Sequence, residues 1–353
     1  MSRITTNRLK KILKLTWAGL TRAAGLDRAW LRAGRLLHGT YGAPILLYHR
    51  VLPPDHQDVF SSPHIMVSAP DFEKQMAFLA EHYQVLPLEE LAGRLARGRL
   101  PHPRLAAVTF DDGWEDNHRH AYPILKRHGL PATIFLTTGF VGEKKVFWQE
   151  RLRFLLSRFE GPREAESFIA RFSNEKGARL LPAGSKADPE IIMARLKGLK
   201  AEIRDALLED LDAWWGRPVF PQAANSFLSW EQVREMSGSG ISFGSHTENH
   251  RILTLAPEDE IKRELKDSRD RLEKILGKPV RMLAYPNGDF NQKTIHLAAA
   301  GGYDLAVSTI EGLARPSGTL FALERINVGG SRFSGTRGEF SADLFRAVLS
   351  GLL

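Results

Sequence analysis

The sequence contains no cysteine. Disulfides, thiolate zinc centres and cysteine nucleophiles are therefore excluded, and the composition fits any redox compartment. No apolar run approaches the roughly 20 residues that span a bilayer. An HExxH pair is absent, which removes that type of metalloprotease. There is no phosphate-cradling glycine loop, no internal repeat and no low-complexity tract. Acidic residues are almost missing from one place: residues 1–35 hold Arg3, Arg8, Lys10, Lys11, Lys14, Arg22, Arg28, Arg32 and Arg35 against Asp27 alone. That excess equals the whole net charge of +8, so the rest of the chain is balanced. A basic total here does not describe a basic domain, and no nucleic-acid partner is expected.

The 353 residues, 43% hydrophobic and 25% charged, suit a soluble globular chain. They suffice for one large α/β domain with insertions, or for two small domains. Leu9, Ile12, Leu13, Trp17 and Leu20 form one helical stripe, weakened by Thr16, with Lys10, Lys11 and Lys14 off it. A basic face, an apolar face and a tryptophan suit a helix lying on an anionic membrane surface; packing against the main domain is the alternative. Charged residues interrupt the apolar stretch and no small-x-small site follows, which argues against a cleaved secretory signal. The expected location is the cytoplasm, at the inner face of the membrane.

Leu105 to Asn117, LAAVTFDDGWEDN, carries the first chemical signal. An apolar run with β-branched Val108 and Thr109 reads as a buried strand, followed at once by Asp111, Asp112 and the turn-forming Gly113. Adjacent carboxylates at a buried strand end both ionise only beside positive charge, and a divalent metal is the usual remedy. A solvated Asp-Asp-Gly turn is the plain alternative. A second motif, Ser245 to His250 (SHTENH), follows the apolar run Ile241–Gly244. Its spacing predicts His246 and His250 on one face of a helical turn, within reach of one ion. Two histidines, an aspartate and an open position form the ligand set of a catalytic zinc-type site.

TFDDG together with SHTxxH resembles the polysaccharide deacetylases, carbohydrate esterase family 4, from about Ala43 to Val328. The resemblance implies that Asp111 is the general base and that Asp112, His246 and His250 hold a divalent metal, zinc first. It also implies a distorted (β/α) barrel with fewer than eight strands. The strand–helix–strand rhythm alone does not separate that from an open doubly wound sheet. Residues 1–40 are expected to be the N-terminal helical segment, 41–335 the barrel, and 336–353 a C-terminal helix. From about 142 to 225 the rhythm breaks into helices, expected at 149–171 and 189–215, forming a lid or groove wall. Trp148, Trp214 and Trp215 are candidates there for stacking on sugar, with core packing as the alternative.

The sequence also departs from the family pattern. The oxyanion donor, a backbone N–H after a proline, falls at Asn287 in Ala284-Tyr285-Pro286-Asn287-Gly288. The arginine that orients the base would fall at Ala284; Arg325 is the first substitute and Arg281 the second. The late Leu-x-His acid is missing from Leu323–Val328. Tyr48-His49 resembles the rearranged arrangement of poly-N-acetylglucosamine deacetylases, making His49 the expected general acid. Tyr48, Trp114, Tyr285 and Pro286 are the expected substrate contacts. The expected activity is metal-dependent removal of N-acetyl groups from an N-acetylated glycan. A glycan-binding module without catalysis, or a deacylase for a non-sugar amide, formyl or O-acetyl group, remain as alternatives.

Overall fold

Seven short parallel strands close into a barrel in the computed structural model, which describes residues 3–26, 42–56, 60–98, 100, 102, 104–176, 180, 188–221, 226–316 and 319–353. The expected boundary near residue 40 lies outside the described residues. In chain order the strands are β1 (Ile45–Tyr48), β2 (Arg50–Leu52), β3 (Met66–Ser68), β4 (Gln84–Val85), β5 (Leu105–Phe110), β6 (Ala132–Leu136), β7 (Ile241–Ser245), β8 (Met282–Ala284), β9 (Leu305–Glu311) and β10 (Leu323–Asn327). The barrel runs β5-β6-β7-β8-β9-β10-β1 and closes where Ile45–Tyr48 pair with Ala107–Phe110. Strand β4 pairs with the start of β5, and β2 with β3 forms a separate two-stranded parallel sheet. The barrel thus has fewer than eight strands, as expected.

The helices are α1 (Arg3–Ala23), α2 (Ala69–His82), α3 (Leu88–Ala96), α4 (Tyr122–His128), α5 (Trp148–Leu156), α6 (Pro162–Lys176), α7 (Pro189–Lys197), α8 (Ala201–Trp214), α9 (Trp230–Ser237), α10 (Glu258–Leu276), α11 (Gln292–Ala300) and α12 (Ala342–Leu349). Two expected single helices are each divided. Pro162 opens α6, because a proline fits a first turn but not a helix interior. The second break falls at Gly198, which ends α7. Helix α4 is preceded by a π-helical turn, Asn117–Ala121.

Strand periodicity decides which side chains can reach the chemistry, since alternate residues point to opposite faces. Ile45, Ala107, Phe135, Ala284, Val307 and Leu323 share one buried cluster inside the barrel, with Leu88, Leu91 and Leu95 of α3 packed into it. Their strand neighbours Leu46, Tyr48, Val108, Phe110, Ile134 and Ile326 belong to the outer cluster, against Phe72, Met76 and Leu79 of α2. Continuing each inward series one step past the apolar layer gives His49 after β1 and Asp111 after β5.

Helices α5 to α8 bury a core of their own, built from Leu152, Phe154, Phe172, Ile192, Leu207 and others. Glu150, in the first turn of α5, is only 3% exposed, and its Oε2 has no hydrogen-bond partner. Burial pushes its carboxyl up to about 8, with Asp112 adding to the rise against the pull of Arg153 and Arg50. Below pH 4.5 the folded and unfolded chains both keep this proton, and the favourable contribution is full. As pH climbs towards 8 the unfolded chain ionises first and the contribution is lost. Glu150→Gln is therefore expected to raise the melting temperature of the metal-free chain above pH 8 and to change it little below pH 4.5. The gain is on the order of a few kcal/mol. A pH-independent difference between the two proteins would refute this account.

Candidate active site

The carboxyl ends of five barrel strands converge on one point, the end at which parallel barrels place their chemistry. Asp111 and Asp112 follow β5, His246 follows β7, Ala284 and Asn287 lie at and beyond β8, Arg325 stands within β10, and His49 follows β1.

Asp112 Oδ1 lies 3.5 Å from His246 Nε2 and 3.6 Å from His250 Nε2. All three donor atoms fall within 4.8 Å of one another, a spacing that one divalent ion can bridge. The hydrogen bonding suits such an ion. Ala284 O is an acceptor only, so the 2.8 Å contact fixes the proton on His246 Nδ1 and leaves Nε2 as a lone-pair donor. Trp114 Nε1 donates to Asp112 Oδ2 over 2.9 Å, which leaves Oδ1 facing the histidines. Burial would raise the Asp112 carboxyl, but the imidazoles of His246, His49 and His250 around it hold it well below the usual carboxylate range. Burial, with His246 nearby, pushes His250 down to about 3, so it remains neutral, the form that binds metal.

Asp111 points into the barrel and meets Arg325 in a two-pronged pair: Nη1 to Oδ1 at 2.8 Å and Nη2 to Oδ2 at 2.7 Å. Two further Arg325 donors are used inside the barrel. Nε donates to Ser308 O over 2.7 Å, and Nη1 also reaches Thr109 Oγ1 at 3.3 Å. Burial raises the Asp111 carboxyl, but Arg325 and His246 outweigh it and keep the group below its ordinary value. His49 is partly buried, with Nδ1 unpartnered among the described residues. Burial lowers its imidazole, while the Asp112 and Asp111 carboxylates pull it up. Its carbonyl is pinned by Asn117 Nδ2 at 2.7 Å.

Backbone strain is concentrated here. Asp112 (φ 77), Thr247 (φ 65), His250 (φ 57) and Asn287 (φ 60) all adopt the left-handed conformation that side chains avoid. Gly113 (φ 84) permits the turn after Asp112, and a Cβ there would meet Leu136 at 2.6 Å. The expected helical turn is corrected: His246 and His250 meet through this irregular loop, not along a helix face. The loop is held from outside. Glu264 of α10 accepts from Asn249 N at 2.8 Å and Nδ2 at 2.9 Å, and Ser245 Oγ, bonded to Ser268, accepts from Thr247 N at 3.1 Å.

The expected substrate contacts need correction for the same geometric reason. Tyr48 and Tyr285 fall on the outward series of their strands and are fully buried. Tyr48 donates to Gln75 Oε1 at 2.8 Å, and Tyr285 stacks on Phe290. Trp114 is 1% exposed, stacked on Phe227 with Arg50 over its ring, so it supports Asp112 and offers no face to a sugar. Pro286 is buried; Asn287 beside it is partly exposed. Arg281 is exposed and bonds Gly302 O, leaving Arg325 as the arginine on the base.

Sequence reasoning missed Glu264, Ser268 and Asn117. Nothing distinguishes Glu264 in sequence from the solvated glutamates of α10. The helical insertion forms one wall beside the site. A cleft of about 230 Å³ lies between Trp148, Leu196, Lys200 and Arg204 on one side and Arg251, Ile252 and Thr254 to Pro257, soon after His250, on the other. Trp148 therefore lines a cavity, with the Arg204 guanidinium 5.3 Å from its ring centre. Trp214 packs on Phe168 and Trp215 on Phe159, both within the insertion.

Comparison with known proteins agrees with this architecture. Residues 99–306 match the sequence profile of the polysaccharide deacetylases. YxkH of Bacillus subtilis, which bears a polysaccharide deacetylase name, is 24% identical over 286 residues, 81% of this chain and 71% of that protein. The poly-β-1,6-N-acetyl-D-glucosamine N-deacetylase of Staphylococcus aureus is 36% identical over 119 residues, which span 31% of this chain and 41% of that enzyme. The Streptococcus pyogenes deacetylase PplD, solved with acetate, superposes with a TM-score of 0.55 at 26% identity, covering 85% of this chain and 96% of its own. IcaB from Ammonifex degensii shares the fold, with a TM-score of 0.55 at 21% identity over 88% and 97% of the two chains. Since the profile covers more than half of the sequence, the chain belongs to the polysaccharide deacetylase family.

Proposed function

We propose that this chain is a metal-dependent N-deacetylase of an N-acetylated glucosamine polysaccharide. The observation that carries the reading is the meeting of Asp112, His246 and His250 beside an Asp111 that Arg325 holds ionised. Those three residues would hold a divalent ion, zinc first by its preference for nitrogen and carboxylate ligands. Such an ion supplies Lewis acidity that polarises an acyl oxygen and acidifies water. The named activity of the Staphylococcus aureus relatives supports the choice of sugar.

The chain's own residues divide the remaining work. Asp111 accepts the proton of the attacking water; each of its oxygens keeps a second lone pair despite the two bonds from Arg325. Arg325 orients that carboxylate and keeps it ionised in a buried site. His49 donates a proton to the departing sugar amine, a role its place after β1, at the same mouth as Asp111 and Asp112, supports. The backbone N–H of Asn287, in its left-handed turn beyond β8, would be the donor to the developing oxyanion.

Acetate release from N-acetylglucosamine oligomers, after metal removal and return of zinc or cobalt, tests the reading. Asp111→Asn and His49→Ala are each expected to lose roughly a hundred- to ten-thousandfold in kcat while still taking up the metal. Stoichiometric metal with no release by the wild type from any oligomer would sink the proposal in favour of a binding module or another acyl substrate. Arg325→Met gives a second, independent test. Without its cation, burial raises the Asp111 carboxyl, and Asp111 must be ionised to act. The acid limb of the kcat–pH profile should therefore move to higher pH, by about one unit or more. An unmoved limb in a folded, metal-loaded variant would show that Arg325 does not tune the base.

A further inference from the structure

Helix α1 packs with the wrong face for a helix that serves only its own fold. It lies along the C-terminal helix α12 and buries Ala18 at 1% exposure and Thr21 at 2%, with Leu15 against the core. Arg22 pairs with Asp343 of α12 at 3.0 Å. The large apolar residues point elsewhere: Ile12 is 41% exposed, Leu13 61%, Trp17 50% and Leu20 60%. Leu13, Trp17 and Leu20 stand at i, i+4 and i+7, one continuous line along the outer surface. Lys10 and Lys14 are exposed beside that line, and Lys10, Lys11 and Lys14 form no ion pair among the described residues. The intramolecular contact thus uses Leu15, Ala18 and Thr21 and leaves both the outer apolar line and the lysines uncommitted.

We propose that this face of α1 docks on an anionic lipid surface. The stripe requires an apolar partner, and the lysines require a negative one at its edge. A bilayer of acidic phospholipids offers both at the required depths. Charge disfavours a second copy of the chain, because residues 1–35 carry nine basic residues against one acidic, and self-pairing would bring two such segments together. No helix among the described residues is long and apolar enough to cross a membrane, so the helix lies on the surface with Trp17 at the boundary between headgroups and acyl chains. The inference stands on this helix alone and does not depend on the reading of the catalytic site.

Flotation of the full chain with vesicles tests it, comparing phosphatidylcholine alone with a mixture of phosphatidylcholine and phosphatidylglycerol. The chain should float with the mixed vesicles, bind phosphatidylcholine about tenfold less, and be released by high salt. Leu13→Ser/Trp17→Ser/Leu20→Ser and Lys10→Glu/Lys11→Glu/Lys14→Glu should each reduce binding at least about tenfold. Both variants should keep the wild-type melting temperature and the same acetate release from soluble oligomers, since these side chains are exposed, or half-buried at Lys11, and none belongs to the barrel mouth. Failure to float, or equal binding to both vesicle types, would overturn the proposal. So would a dimer in sedimentation that the serine variant dissociates, which would reassign the stripe to a second copy.

Discussion

The pair between Arg325 and Asp111 is the constraint around which the barrel's active end is arranged. A guanidinium at 0% exposure inside a barrel is tolerable only when it is paired and hydrogen-bonded, and here a carboxylate, a carbonyl and a threonine hydroxyl accept from it. Losing either partner would leave an uncompensated buried charge, a cost of about 3–5 kcal/mol. The pair also commits Asp111 to the inward series of β5. Ordinary alternation would then send Asp112 outward, away from His246. The left-handed turn at Asp112 cancels that alternation and returns its carboxylate to the same mouth.

Strain and its restraints follow from this geometry. Two adjacent carboxylates on one side of a strand end require an irregular backbone, and two histidines on a loop require another. Residues in such conformations cost on the order of 1–3 kcal/mol each and persist only where surroundings over-determine them. Around Asp112 that is done by Trp114, itself sandwiched between Phe227 and the Arg50–Asp116 pair. Around Thr247 and His250 it is done by Glu264 and Ser268 of α10 and by Thr138 and Gly139 beyond β6. These buried polar contacts hold Asp112, His246 and His250 in place while standing outside that group themselves.

Much of this was legible in the sequence because strand periodicity and short motifs are local. TFDDG and SHTENH gave the residues that meet at the mouth, and the inward series of β10 makes Arg325 a reachable substitute for the arginine missing at Ala284. Side-chain direction was less legible. Tyr48, Trp114 and Tyr285 look like sugar-stacking residues because they adjoin His49, Asp112 and Pro286, yet adjacency along a strand puts neighbours on opposite faces. The loop restraints were not legible at all. Glu264 and Ser268 lie in a charged amphipathic helix, where only the packing of α10 against β7 shows which glutamate is buried. The cleft beside Trp148 likewise depends on how two separate cores abut.

Inside the fold, the charges that meet at the barrel mouth are held by partners that limit what they can do. Arg325 is bound to Asp111, Arg50 to Asp116, and the Asp112 carboxylate is shared by Trp114 and two histidines. The N-terminal helix follows the opposite rule. Its lysines are unpaired among the described residues, and its largest apolar side chains are turned to solvent, although small residues of the same helix are buried. Exposing a line of leucine and tryptophan in water is unfavourable in proportion to the apolar area left wet, and a monomer gains nothing from it. The balanced charge of the remaining chain makes the asymmetry sharper, because nothing in the catalytic domain needs a concentrated basic segment. Docked as proposed, such a segment would confine the chain laterally and raise its local concentration at a surface without altering the buried site.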